Sequence, residues 1–532
     1  MSFKKIITIV AAAGALTALA LPAMAFENEF HGSSAMRYFI SNYEQGGGGN
    51  PLAINTGGYV AVPGSNADYA NGRITTPNLK TNNYFESRTR IFYTAKASDD
   101  LKLVTAFEID SVFGDRAQGQ TAYASATAAT AAGATGRNIG GGWESDTVNL
   151  ETKNVYLEFK IPSTPTTVKT GIMTIRDGLK DIFFLTDAAG ILTSTKLGKA
   201  TVNAGYFRGY DQSYFTVAAT ARPKGMDNLD FGLLEGKFAV SKDLNLAALY
   251  YLYNDGRNIL GAGAEGTNTT GTMIIHTFGL TGDAKVGPLS LSGFFAYQGG
   301  VFKNQFANNG SAYLNAFAYN LAAKMAAGPG TLKTALLFTS GNSSDATRTG
   351  HYTGWVGTSQ SQNDAWSNAA GTSYYSEGGT WLLTRTTASS GTTDMALAYN
   401  TGNGTTPKTS QGLYLYSLGY DANFTPKFYT NFNFGALWTA KTNSLKPADY
   451  YESLKAGRRV SNGTNYMGSE INVESGYKMY DNLTASLGAA YVMLGGYYKN
   501  SSAASYGNFT TGGKAYTPEN PYTIRTTLKF AF

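Results

Sequence analysis

The chain contains no cysteine. Disulfides, thiolate metal sites, haem attachment through C-x-x-C-H and a lipid anchor on a cysteine after a leader are therefore excluded. Charge is sparse as well. Asp, Glu, Lys and Arg make up 15% of the 532 residues, where a soluble globular protein carries roughly 25%. After the first 25 residues no stretch of 18 consecutive apolar residues occurs, so no helix of this sequence is long enough to cross a bilayer. Histidine is rare: His31, His276 and His351 stand far apart, with no H-E-x-x-H spacing. The run Gly46–Gly49 lacks the Gly-Lys-Ser/Thr of a phosphate cradle, and no EF-type calcium loop is present. With no catalytic, metal or cofactor constellation, an enzyme is not expected. A rim Ser/His dyad would have to be built on His276. His31 is expected on the lumen side or at a turn of the first strand, and His351 on an outer loop.

The chain opens Met1-Ser2-Phe3-Lys4-Lys5, followed by an apolar run from Ile6 to Leu21 and then Ala23-Met24-Ala25. A basic start, an apolar core and a small-x-small site are the three parts of a secretory leader, with cleavage expected after Ala25. Residues 1–25 are thus read as a signal peptide and 26–532 as one domain. The formal charge of +6 includes the leader's Lys4 and Lys5, and no concentrated basic stripe points to nucleic acid. Aromatic residues reach 13%, with Tyr (36) and Phe (29) far above Trp (5), and Gly numbers 63. That mixture suits interfacial aromatic girdles, turns and polar wall residues facing water.

Alternation with period two recurs along the chain. From Phe85 to Lys96 one face reads Phe85, Ser87, Thr89, Ile91, Tyr93 and Ala95, and the other Glu86, Arg88, Arg90, Phe92, Thr94 and Lys96. Leu101, Leu103, Phe107 and Ile109 then alternate with Lys102, Glu108 and Asp110. The apolar face requires lipid and the charged face an aqueous lumen. Eight tight turns are expected near Ser98–Asp100, Pro162–Pro165, Leu197–Lys199, Ser241–Asp243, Val286–Pro288, Ala327–Gly330, Thr425–Pro426 and Tyr480–Asn482. Long polar connections include Glu44–Asn78, Gly114–Thr147, Tyr210–Asp227, Asp255–Gly271, Gly341–Ser410 and Lys441–Asn465. The Ala-rich Tyr123–Ala134 is read as loop. The expected fold is therefore all-β: a transmembrane antiparallel β-barrel of about 18 strands, or 16 as the alternative, with short periplasmic turns and long extracellular loops. Trp381–Thr384 and Met395–Tyr399 are either an extra hairpin or part of a folded outer loop.

The last strand puts Tyr522, Ile524, Leu528, Phe530 and Phe532 on one face, and Thr523, Arg525, Thr527 and Lys529 on the other. It resembles the signal that the barrel-assembly machinery reads, and its pairing with the first strand would remove both open edges.

Three blocks carry a family resemblance: Phe26-Glu27-Asn28-Glu29-Phe30-His31-Gly32; Phe85 to Lys102 running on into Phe107–Asp115; and Lys153–Pro162 with Thr170, Gly171 and Ile172. They resemble outer-membrane porins of metal-reducing and sulfate-reducing bacteria. The resemblance implies a homotrimer in the outer membrane of a Gram-negative bacterium, in contact with outer-membrane lipid. It names no solute. A passive diffusion porin for small hydrophilic solutes is the leading expectation. The alternative is a scaffold sheathing partner c-type cytochromes, which would have to supply every haem. A third reading, a substrate-specific or adhesive barrel, rests on the length of Gly341–Ser410.

In general porins a third outer loop narrows the lumen. Here that connection is taken to run from Arg176 to Gly190, with Arg176, Asp177, Lys180, Asp181 and Asp187 supplying both signs. Facing rows of acid and base filter ions by charge, so this loop is expected to oppose Arg88 and Arg90 across a constriction. The plainer expectation pairs those arginines with Glu108 or Asp110 on the next strand.

Overall fold

The computed structural model describes residues 27–41, 82–113, 150–210, 228–256, 272–303, 311–342, 349–357, 375, 377–383, 412–441, 465–495 and 520–532. The leader, Gly46–Gly49, Tyr123–Ala134, Met395–Tyr399 and most of the long polar connections lie outside these residues. Among the described residues there are nineteen strands: β1 (Glu27–Ser41), β2 (Asn82–Ser98), β3 (Leu101–Val112), β4 (Leu150–Lys160), β5 (Thr166–Arg176), β6 (Leu185–Leu197), β7 (Ala200–Tyr210), β8 (Leu229–Ser241), β9 (Leu244–Asp255), β10 (Thr272–Val286), β11 (Leu289–Lys303), β12 (Ser311–Ala327), β13 (Gly330–Thr339), β14 (His351–Tyr352), β15 (Leu413–Asn423), β16 (Phe428–Thr439), β17 (Tyr466–Tyr480), β18 (Leu483–Leu494) and β19 (Tyr522–Ala531).

Every strand but β14 pairs antiparallel with its neighbours in chain order, and β13 pairs directly with β15. β1 pairs with β19 from Ser33↔Ala531 to Ser41↔Thr523, which closes the sheet. The wall is thus an 18-stranded antiparallel barrel, and the two-residue β14 lies parallel on β12 beyond the end of β13. The 16-stranded alternative is set aside by this pairing. Closure satisfies every strand edge internally, the condition for a sheet in hydrocarbon. The eight short connections fall where the turn residues predict, on the same end as both chain termini. Trp381–Leu383 form no hairpin; they belong to a segment folded inside the barrel.

The outward face is apolar. Phe278, Leu280, Phe295 and Leu321 are each more than half exposed, and each alternates with a buried or inward residue. The wall strands, of 10 to 17 residues, reach or exceed the 9–11 tilted residues that span a bilayer. On β19, Ile524, Leu528, Phe530 and Phe532 face outward and Thr523 is fully buried, as the alternation predicts. Gly32 and Phe532 exchange backbone hydrogen bonds of 2.8 and 3.0 Å at the seam.

The inward face differs from the uniformly polar lumen that the alternation of β2 and β3 suggests. On β11 and β12 it carries Phe294, Ala296, Phe302, Ala312, Leu314, Ala316 and Ala318, all buried. β9 is apolar on both faces, with Leu249, Tyr251 and Tyr253 buried within the barrel. A strand apolar on both sides is covered on both sides. The chain's own loops cover the inside.

Candidate functional site

The first inner segment is residues 177–184, directly after β5. Asp177 organises it. One carboxylate oxygen accepts the amides of Leu179 and Asp181 at 2.7 and 2.8 Å, and the other accepts those of Phe183 and Phe184 at 2.6 and 2.7 Å. Lys180 and Asp181 take the left-handed conformation, with φ of 63° and 72°, and this turns successive amides toward one point. The loop's apolar side chains then face the wall. Leu179, Ile182 and Phe183 are at most 1% exposed; Phe183 stacks on Tyr251 of β9, and Phe184 meets Phe231 of β8 edge-on at 4.6 Å between centroids. Burying each such side chain contributes roughly 1.5–3 kcal/mol. The Tyr251 hydroxyl accepts from the Gly178 amide at 2.9 Å and donates to Glu235 at 2.8 Å. Burial pushes the Asp177 carboxyl up to about 7; the bound amides oppose this, and the nearby Asp181 charge adds to it.

A second segment, 351–357, crosses from β12 to this loop. Trp355 donates from its indole nitrogen to the Ile182 carbonyl at 3.2 Å. Gln298 of β11 clasps the Val356 backbone in both directions, at 2.8 and 3.0 Å. The inward alanines of β11 and β12 leave the room that this segment fills.

A third segment, Tyr375 with residues 377–383, is a strap laid along the wall from β12 to β19. Asn320 of β12 donates to the Tyr375 hydroxyl. Glu377 accepts from Lys324 of β12 at 3.0 Å and pairs with Lys180 of the first loop at 3.5 Å. Asn472 of β17 donates to the Gly379 carbonyl at 2.9 Å. Glu470 of β17 accepts the consecutive amides of Trp381, Leu382 and Leu383 at 2.5, 2.8 and 2.8 Å. Thr380 and Trp381 lie over Gly435 and Gly488; a Cβ on Gly488 would stand 2.6 Å from the indole. The strap ends with the Arg525 guanidinium 3.6 Å above the Trp381 ring. Burial raises the Glu377 carboxyl, but the hydrogen bond and charge of Lys324, with the charge of Lys180, outweigh it and hold Glu377 below the ordinary glutamate range.

Together the three segments form a collar. The inner wall from β19 through β1 and β2 to β3 is charged, with Glu86, Arg88 and Glu108 buried. Arg525 pairs with Glu474 at 2.8 Å. Arg37 lies 4.0 Å from Glu86. Arg88 pairs with Glu108 at 3.2 Å, and Arg90 binds the other oxygen of the same carboxylate. Nearer the turn end, Glu158 joins Lys102 and Lys169 at 3.1 and 3.4 Å.

The candidate residues read from the sequence are therefore only partly brought together. Arg88, Arg90 and Glu108 form one inward cluster. Asp110 faces Arg88 in register, and its side chain lies outside the described residues. The loop is shorter than Arg176–Gly190: β6 already begins at Leu185, so Asp187 is a strand residue. It bonds Thr174 and Asn154 and pairs with Lys153 at 3.3 Å. Nor do the loop acids form a row facing the arginines. Asp177 is turned into its own loop's amides, and Asp181 pairs with Arg176 at 2.8 Å. Lys180 alone of these reaches another collar segment. Arg37, Glu377, Trp381, Glu470, Glu474 and Arg525 were not among the candidate site residues, although alternation put Arg525 on the polar face of the last strand and Trp381 stood in the stretch read as a hairpin or folded loop. The apolar inner face of β9 and the alanines of β12 were the further signal of a covered lumen wall. The histidines are apart: His31 stacks on Phe92, His276 bonds the Tyr250 hydroxyl, and His351 bonds Asn315.

No protein-family model matches the chain, and no curated protein sequence matches it. Solved structures with a similar trace include Pseudomonas aeruginosa OccK5 (OpdH), at 11% identity over 95% of this chain and 98% of that one, with a TM-score of 0.44. Acinetobacter baumannii OccAB4 has 10% identity over 96% and 100%, with a TM-score of 0.46. A BenF-like porin from Pseudomonas fluorescens Pf-5 has 9% identity over 95% and 98%, with a TM-score of 0.44. No residue role is carried over from them.

Proposed function

We propose that this barrel is an outer-membrane porin through which small hydrophilic solutes and ions diffuse passively, along an off-centre path. The observation that carries the reading is the division of the lumen wall. From β5 round to β18 the inner wall carries the apolar cluster on which the collar segments pack, and from β19 to β3 it carries Arg37, Glu86, Arg88, Arg90 and Glu108, with Arg525 under Trp381. Water and ions follow the arginine-bearing wall, whose ion pairs offer them partners that the apolar collar packing does not. The short turns face the periplasm. The early-strand resemblance to porins of metal-reducing bacteria agrees with this reading and leaves the solute open. A cytochrome sheath is less well supported, since the chain's own segments occupy the wall against which an inserted haem protein would pack.

The test is the conductance of the refolded barrel in a planar bilayer under a salt gradient. Stable ohmic steps are expected. Silence from a heat-modifiable, folded barrel would contradict a diffusion pore. Steps in groups of three would support the trimer.

A further inference from the structure

The geometry points to Trp381 as a residue that sets charge selectivity by masking a wall arginine, with Glu470 as the positioning residue that holds it there; this rests on the porin reading. Arg525 belongs to β19 and projects inward beside Arg37 of the paired strand β1, where Arg37↔Thr527 and Phe39↔Arg525 are in register. It would be one more cation on the charged wall. Two groups reduce its field: Glu474 at 2.8 Å and the face of the Trp381 indole at 3.6 Å. An aromatic face over a guanidinium both satisfies it electrostatically and covers it from solute.

The placement of Trp381 is built. Glu470 is fully buried on β17 and its two oxygens take three successive strap amides, while Asn472 holds the carboxylate at 2.8 Å and the Gly379 carbonyl at 2.9 Å. Gly488, directly opposite Arg525 in register, supplies the slot in which the ring lies. A loop that merely filled space would need neither a buried carboxylate at its amides nor a glycine beneath its one indole. The arrangement fixes the ring's angle and depth against one guanidinium.

The experiment measures reversal potential and single-channel conductance in planar bilayers for the full barrel, W381A, W381F, E470A, R525Q and the double variant W381A/R525Q. Heat-modifiable migration confirms that each barrel is closed. W381A is expected to raise the anion-to-cation permeability ratio about two- to five-fold, the weight of one exposed cation–π stack. W381F keeps a ring over Arg525 and should stay near the parent. E470A should reproduce the W381A shift and add current noise, because the strap is released. In the R525Q background, W381A should no longer change selectivity. A conducting parent whose selectivity is unmoved by W381A and E470A overturns this inference alone, as does a W381A shift that persists in full with R525Q. Should one of the two strap variants fail to close, the other reads the same reversal potential and decides. A silent parent overturns the porin reading and this inference with it.

Discussion

Glu108 is where two arginines of one strand converge, Arg88 on one oxygen and Arg90 on the other. Neutralising it removes the charge that both guanidinium groups share. E108Q should raise anion preference by about five-fold, since a unit charge at 4 Å in water weighs ~1 kcal/mol, and R90Q should move it the opposite way. Unchanged reversal potentials in both would contradict their place on the ion path. This cluster was legible in the sequence, because period-two alternation and a tight turn fix which residues of β2 and β3 stand opposite one another. Asp177 was legible only as an acid. Its role depends on the left-handed φ of Lys180 and Asp181, which no pattern announces, and these turn four amides onto it. D177A should release residues 177–184, since each buried amide left without an acceptor costs roughly 1–3 kcal/mol. Limited proteolysis within that loop is the check, and a loop as resistant as the parent's would refute the anchor.

Two of the collar's carboxylate anchors, Asp177 and Glu377, titrate in opposite senses, and Glu470 is a further anchor. Asp177 is raised to about 7 by burial, above the roughly 3.9 of an unfolded aspartate. Its linked contribution is therefore fully present below about pH 4 and is lost as pH rises through about 7. Glu377 is held below its ordinary value, chiefly by Lys324 against burial. Its contribution is present above the unfolded value of about 4.3 and is lost as pH falls through the lowered one. The collar should be tightest between these limits. Open-channel noise is expected to be lowest near about pH 5.5 and higher at both about pH 3 and about pH 8; a steady trend in one direction would contradict the two-anchor account. E377Q should remove the acid limb and keep the alkaline one. At this scale the strands and turns were readable and the inner segments were not. The end of the third loop was misplaced because Thr186–Gly190 carries turn-type residues. In the fold that stretch is strand β6, tied to β5 through Thr174 and Asp187. The strap was hidden in a long polar connection whose partners lie on β12, β16, β17, β18 and β19, contacts with no local period.

At the scale of the molecule, closure and strand number followed from counting turns and from the amphipathic last strand, whereas the eccentric lumen did not. It arises because inward alanines and aromatics from β8 to β13 leave space and grip for returning chain. The division into a packed side and a charged side is the central claim, and the absence of native cysteine makes it directly testable. Single cysteines at Arg90, on the charged wall, and at Ala318, fully buried beneath the collar, would be exposed to a charged thiol reagent during single-channel recording. The account predicts a stepwise fall in current at position 90 and no reaction at position 318. Equal modification at both positions, or modification at 318 alone, would contradict it.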